Sequence, residues 1–205
     1  MLHYRGAVNL RPTTEFAAEI GARIRRLRLE RELSLSELAH RAGVGKATLS
    51  GLEDGSRSNP TVETLYAIAG RLGVPLAAIL PEPDRSPGVH VHADVIHGAA
   101  VSTVLLETFT EAGTGTVTEL YRLRIRPGHV QTSPPHPPGT VEYLTVFSGT
   151  ARVGPPDAPI VIPPGGHATW DAHVPHVYSA VGDQDVHASL LIRSLGSVAD
   201  VSDGR

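Results

Sequence analysis

Apolar side chains in the first eighty residues recur at helical intervals. Phe16, Ile20, Ile24, Leu27 and Leu35 follow one another at steps of three, four or eight, with arginines between them. That spacing keeps one face of a helix on a core. "SLSELAHRAG" opens with Ser34 and carries Glu37 three residues on, which predicts a capping box, hydroxyl and carboxylate each satisfying a free backbone N–H. Gly43 is its stop. A short helix is expected from about 45 to 53, stopped by Gly55. "NPTVETLYAIAGRLG" predicts a longer one with Asn59 as N-cap and Pro60 at the first helical position, where the missing N–H costs nothing. "PLAAIL" adds a fifth, short helix.

After Leu80 the period changes. "PEPDRSPG" is proline-rich and charged and reads as a linker. Beyond it come short β-prone runs between Gly and Pro: "VSTVLLETF", "VTELYRLRI", "EYLTVFSG", "APIVI", "HVYSAV" and "VHASLLI". Strands at that spacing suggest a small all-β barrel or sandwich. The expected organisation is therefore an arm over 1–12, a helical domain over 13–80, a linker over 81–93, a β domain over 94–195 and a mobile tail over 196–205.

Charge sharpens the division. Residues 1–80 carry 11 Lys+Arg against 8 Asp+Glu, whereas residues 81–205 carry 7 against 13 and nine of the eleven histidines. A basic first part permits nucleic-acid binding, although so small an excess is weak support. The chain has no cysteine, which excludes disulfides and thiolate-bound zinc. No stretch approaches the roughly 18 apolar residues of a membrane-spanning helix. A cytoplasmic protein is the simplest expectation.

"LSELAHRAGVGKATLSGLEDG" has the shape of a helix-turn-helix. Leu38 and Ala39 would pack beneath the second helix, Val44 would fill the turn, and Leu49 and Leu52 would face the core. Lys46, Ala47, Thr48, Ser50 and Gly51 are left for the outer face, from which side chains reach base edges in a major groove. Periodicity alone equally allows a five-helix bundle that binds no DNA. The whole string from Ile24 to Leu80 closely resembles the XRE-type, phage-repressor-like helix-turn-helix family. That resemblance implies base contacts from Lys46, Thr48 and Ser50 and phosphate contacts from Arg57 and Asn59. Gly45 stands where the family often has a capping hydroxyl. Arg23, Arg25, Arg26, Arg28 and Arg31 on the first helix read mainly as a solvated face, partly balanced by Glu15, Glu19, Glu30 and Glu32.

In the β part, "PGHVQTSPPHPPGTVEYLTVFSG" and "GGHATWDAHVPHVYSAVGD" resemble the two cupin signatures. His136, Pro138, Glu142 and Gly149 fit the first; Gly165, His176 and Ala180 fit the second. In that family these positions bring three histidines and a glutamate to one point in a barrel. Here Pro138 replaces one histidine, leaving His136, Glu142 and His176. Two imidazoles and a carboxylate suit one divalent metal ion, Fe, Mn, Ni or Zn, with open positions for a ligand. The same residues also allow a plain polar pocket in which Glu142 pairs with Arg122 or Arg124. His129, His167 and His173 are expected on loops or the surface. Tyr121, Tyr143, Tyr178 and Trp170 would line the pocket or simply fill the core.

Together the resemblances imply an α + β two-domain chain, a five-helix XRE-type bundle followed by a cupin β-barrel. The expected function is a transcriptional regulator that binds a double-stranded operator as a homodimer and a small-molecule effector in its cupin domain. The alternative is a mononuclear metal-dependent oxygenase, since the layout also resembles hydroxypropylphosphonate epoxidase. The departure from that enzyme is at the decisive place. Its first-motif histidine falls where Pro138 stands, and Lys46 is the chain's single lysine.

Overall fold

The computed structural model describes residues 13–56, 60–81 and 95–195. The expected arm over 1–12, the tail over 196–205, nearly all of the linker, and Arg57 and Asn59 lie outside the described residues. The helical part consists of α1 (Thr13–Glu30), α2 (Leu35–Ala42), α3 (Lys46–Glu53), α4 (Val62–Leu72) and a 3-10 turn, Leu76–Ala78. There are thus four α-helices among the described residues, where the sequence suggested five. "PLAAIL" makes only a single 3-10 turn, whose otherwise free Ala77 N–H donates to the Glu119 carboxylate at 2.5 Å.

The caps differ in detail from expectation. Ser34 Oγ accepts from the Glu37 N–H at 3.1 Å, but the Glu37 carboxylate turns to Arg41 at 2.5 Å. Helix α4 is capped by Thr61, whose Oγ1 accepts from the Thr64 N–H at 3.3 Å, so the helix starts two residues beyond the position Asn59 would have set. Helix α1 ends without a glycine: Glu32 takes the left-handed conformation (φ 54°), and the Leu33 N–H returns to the Arg28 carbonyl.

Helices α1 and α3 cross closely at Gly21, where a Cβ would lie 1.8 Å from the Leu52 carbonyl oxygen. The same crossing is locked by a buried two-point ion pair. Arg28 Nε and Nη2 each lie 2.7 Å from a Glu53 carboxylate oxygen, and Nη1 donates to the Leu33 carbonyl at 2.8 Å. Arg28 is therefore a positioning residue for α3, not part of the solvated face. Glu53 holds its guanidinium more firmly protonated than usual against the opposing effect of burial. Arg23 and Arg26 pair along the helix with Glu19 and Glu30, as a surface face would.

The β part comprises β1 (Ile96–His97), β2 (Val101–Thr110), β3 (Val117–Ile125), β4 (Val130–Ser133), β5 (Val141–Ser148), β6 (Thr150–Gly154), β7 (Ile160–Ile162), β8 (His167–Asp171), β9 (His176–Val181) and β10 (Val186–Ser194). They form two antiparallel sheets, ordered β1-β2-β3-β10-β5-β8 and β4-β9-β6-β7. The expected closed barrel is instead a two-sheet, cupin-like sandwich, because no ladder joins the sheet edges among the described residues. Period-two burial decides what faces inward: Glu119, Tyr121, Leu123 and Ile125 on β3, Glu142, Leu144 and Val146 on β5, and Val186, Ala188, Leu190 and Ile192 on β10. Leu190 sits opposite both Tyr121 and Leu144, which fixes the register of the inner layer. One continuous apolar core runs from the helices into the sheets.

Candidate metal centre and DNA-contacting helix

Alternation on β5 buries Glu142 completely and turns Tyr143 to the outer face. On β9, His176 begins a run of four buried residues and pairs with Ser133 of β4. His136 arrives from the proline-rich loop between β4 and β5. Its N–H donates to the Ala172 carbonyl at 2.8 Å, and the Ala172 N–H donates to the Thr140 carbonyl at 2.9 Å. The loop is strapped to the turn before β9, so its stiffness aims His136 inward. Pro138 is exposed on that loop.

Three ligand-type atoms converge. His136 Nε2 is 3.0 Å and His176 Nε2 is 3.3 Å from Glu142 Oε1, and the ligand atoms of all three residues lie within 4.8 Å of one another. Each of these three atoms is buried, yet none has a hydrogen bond of acceptable geometry. Buried polar atoms left in that state are rare and call for a partner. His176 Nδ1 lies 2.9 Å from the Val174 carbonyl, where it can only donate, leaving the Nε2 lone pair for the site. The second carboxylate oxygen of Glu142 accepts from the Tyr178 hydroxyl. Neutral imidazoles, an ionised carboxylate and outer-shell bonds that orient both are what a divalent cation requires of its ligands.

The three groups also act on one another's charge. Burial would push the Glu142 carboxyl up, but His136 and His176 close beside it overcome that and hold the group far below the usual carboxylate range. Burial pulls His176 down, and Glu142 more than restores it, so the imidazole titrates above its ordinary value. The alternative pairing of Glu142 with Arg122 or Arg124 is not formed. Both arginines point outward from β3, and Arg124 binds Asp185 at 2.6–2.8 Å.

On the helical side, Lys46 and Ala47 are exposed at the start of α3, and Thr48 and Ser50 are half-buried beside them. Gly51 departs from expectation. It is buried between Leu49 and Leu52, where α3 turns toward the core, and cannot belong to the outer face. The N-cap Gly45 provides no side-chain hydrogen bond.

Comparison with known proteins gives the family. Residues 24–79 match the helix-turn-helix family HTH_3. Over 170 residues the chain is 31% identical to the HTH-type transcriptional regulator SutR of Escherichia coli K12, spanning 82% of this chain and 91% of that protein. The chain belongs to the HTH-type transcriptional regulators. A solved HTH_3-family transcriptional regulator from Vibrio cholerae is 25% identical and superimposes with a TM-score of 0.69, covering 89% of this regulator and 99% of that chain. The Cupin_2 domain of an XRE-family regulator from Enterobacter cloacae matches 45% of the chain and 95% of its own, at 22% identity and a TM-score of 0.41.

Within the regulator, the aromatic candidates separate. Tyr178 touches the site through Glu142. Tyr121 is fully buried and donates to Glu119 Oε1 at 3.0 Å. Tyr143 stacks on His167 on the outer face, away from the pocket. Trp170 stands beside His176 and Tyr178, with its indole N–H buried and unpartnered. His129, His167 and His173 are exposed. Two residues escaped the sequence reading. Glu119 is a charge at an inward position of β3, a signal the alternation already carried; burial pushes its carboxyl up to about 7. Tyr66 of α4 flanks the apolar stripe Leu65–Ile68–Ala69–Leu72 and packs edge-on against His136, at 4.9 Å and 82°. Nothing in the pattern of α4 alone distinguishes it from a core aromatic.

Proposed function

We propose that the chain is a one-component regulator. A homodimer would bind a pseudo-palindromic operator through Lys46, Thr48 and Ser50 of α3, with Arg57 and Asn59 on phosphates. The cupin-like sandwich would bind one divalent metal ion, Fe, Mn, Ni or Zn, at His136, Glu142 and His176. A small acidic or hydroxylated effector would bind there and modulate operator binding. The observation that carries the sensor half is the meeting of three buried, unpartnered ligand atoms inside a chain of the HTH-type regulator family. Three protein ligands leave coordination positions open to the effector, with the unpartnered Trp170 N–H nearby. Metal would act there as a Lewis-acid anchor for an oxygen-bearing ligand.

Operator binding tests the first half. Lys46→Ala and Thr48→Ala each remove a projecting side chain and should weaken binding of a selected operator by about 1–3 kcal/mol per base contact, at fixed salt. Their unfolding midpoints should stay near that of the parent. Normal operator affinity in both variants would refute the assignment of the recognition face. Metal analysis of the purified chain and of His176→Ala tests the second half, with loss of metal expected in the variant. Two histidines and a carboxylate also serve mononuclear oxygenases. Substrate-dependent oxygen consumption by the iron-loaded chain would favour that reading.

A further inference from the structure

We propose that the DNA-binding half supplies a wall of the metal site: Tyr66 of α4, set edge-on against His136, couples occupancy of the site to the placement of α4. This inference rests on the metal reading of His136, Glu142 and His176. Its ground is the face that α4 turns toward the sheets. Glu63 Oε1 accepts from the Ala99 N–H at 2.8 Å, Tyr66 lies on His136, and a Cβ at Gly70 would come within 3.9 Å of the Pro135 carbonyl. Residues 63, 66 and 70 recur at three and four, so they form one stripe on the helix. The other stripe, Leu65, Ile68, Ala69 and Leu72, is the core of the helical bundle.

Tyr121 of β3 donates to Glu119, and the same carboxylate oxygen takes the Ala77 N–H from the turn after α4. The sheets thus touch α4 along one stripe and hold the turn that follows it. The His136 ring stacks on His176 with its Nε2 against Glu142, and it meets Tyr66 edge-on. Once its Nε2 is held by a cation, the ring is fixed and so is the surface on which Tyr66 packs. Whatever favours one arrangement of α4 then favours or opposes metal, and the effect is reciprocal.

The test uses the full chain with cobalt(II) as the probe. The single tryptophan, Trp170, lies 6.5 Å from His176 and reports binding by quenching. Hydrogen exchange over 62–72 reports the state of α4. Cobalt should slow that exchange in the parent. In Tyr66→Leu, which keeps an apolar side chain but loses the aromatic edge, the slowing should vanish and cobalt affinity should fall roughly two- to tenfold, the scale of an edge-to-face contact. Tyr66→Phe, the milder change, should retain the response. Glu63→Ala loosens the contact with Ala99 away from the site; it should raise basal exchange while leaving the cobalt-induced slowing in place. Equal slowing in Tyr66→Leu and the parent, or quenching without any slowing, would overturn the coupling and leave the metal centre standing. Absence of quenching in the parent would remove the metal reading and the coupling with it.

Discussion

Glu119 carries the clearest consequence at the scale of one residue. It is 2% exposed, and burial lifts its carboxyl to about 7 despite the Ala77 N–H and the Tyr121 hydroxyl, from an ordinary value of 4.5. Between those two values the folded chain binds more protons than the unfolded one, so this group makes stability fall as pH rises. The whole effect is about 3 kcal/mol, complete above roughly pH 7 and absent below roughly pH 4.5. Glu119→Gln keeps an oxygen that accepts both bonds and removes the charge. Its urea midpoint should match the parent's at pH 4.5 and exceed it at pH 8. Parallel pH profiles for the two chains would mean that the carboxylate is solvated. That an acid occupies an inward position of β3 was readable from alternation with Tyr121, Leu123 and Ile125. What it bonds was not, because its partner Ala77 lies 42 residues away.

Among the elements, the crossing of α1 and α3 is the most constrained. Gly21 allows the two backbones to touch: any Cβ there would meet the Leu52 carbonyl at 1.8 Å, and a backbone atom cannot step aside as a flexible side chain can. Gly21→Ala must therefore part α1 from the proposed recognition helix and strain the Arg28–Glu53 pair beside it. A loss of about 1–3 kcal/mol in unfolding free energy is expected, with weakened operator binding beyond it. An alanine variant as stable as the parent would show that the helices do not meet this closely. Sequence pattern gave the helices themselves, since the spacing of Ile20, Ile24, Leu38, Leu49 and Leu52 reports burial directly. It missed the cap of α4 because Asn59 and Thr61 both suit that role, and only the Thr61–Thr64 bond separates them. It made "PLAAIL" a helix because local propensity does not report how far a helix runs, and here only one 3-10 turn forms.

For the whole molecule, the triad was legible because motif order and spacing survive the loss of a histidine at Pro138. The aromatic wall was not, because Tyr66 reaches His136 only once α4 has docked on the sheets. Dimerisation is the remaining question at this scale. One helical bundle offers a single α3, whereas recognition of a pseudo-palindrome places two such helices in successive major grooves about 34 Å apart. The outer face of the six-stranded sheet suits a second copy. Leu191 lies opposite Leu120 on one side and Tyr143 on the other, giving an apolar row across β3, β10 and β5. All three side chains are only partly covered, with Thr118, Thr145 and Ser189 around them and His167 and Arg193 on the exposed rim. A contact through that row would leave both α3 helices free and both candidate metal sites intact. Sedimentation should give a dimer for the parent and a monomer for Leu191→Glu, which sets two carboxylates close together at a self-complementary contact. The variant should retain metal and lose most of its affinity for a two-half-site operator, while its weak binding to a single half-site should persist. A parent that sediments as a monomer, both free and with operator, would end the dimer reading; a dimeric Leu191→Glu would move the contact to another face.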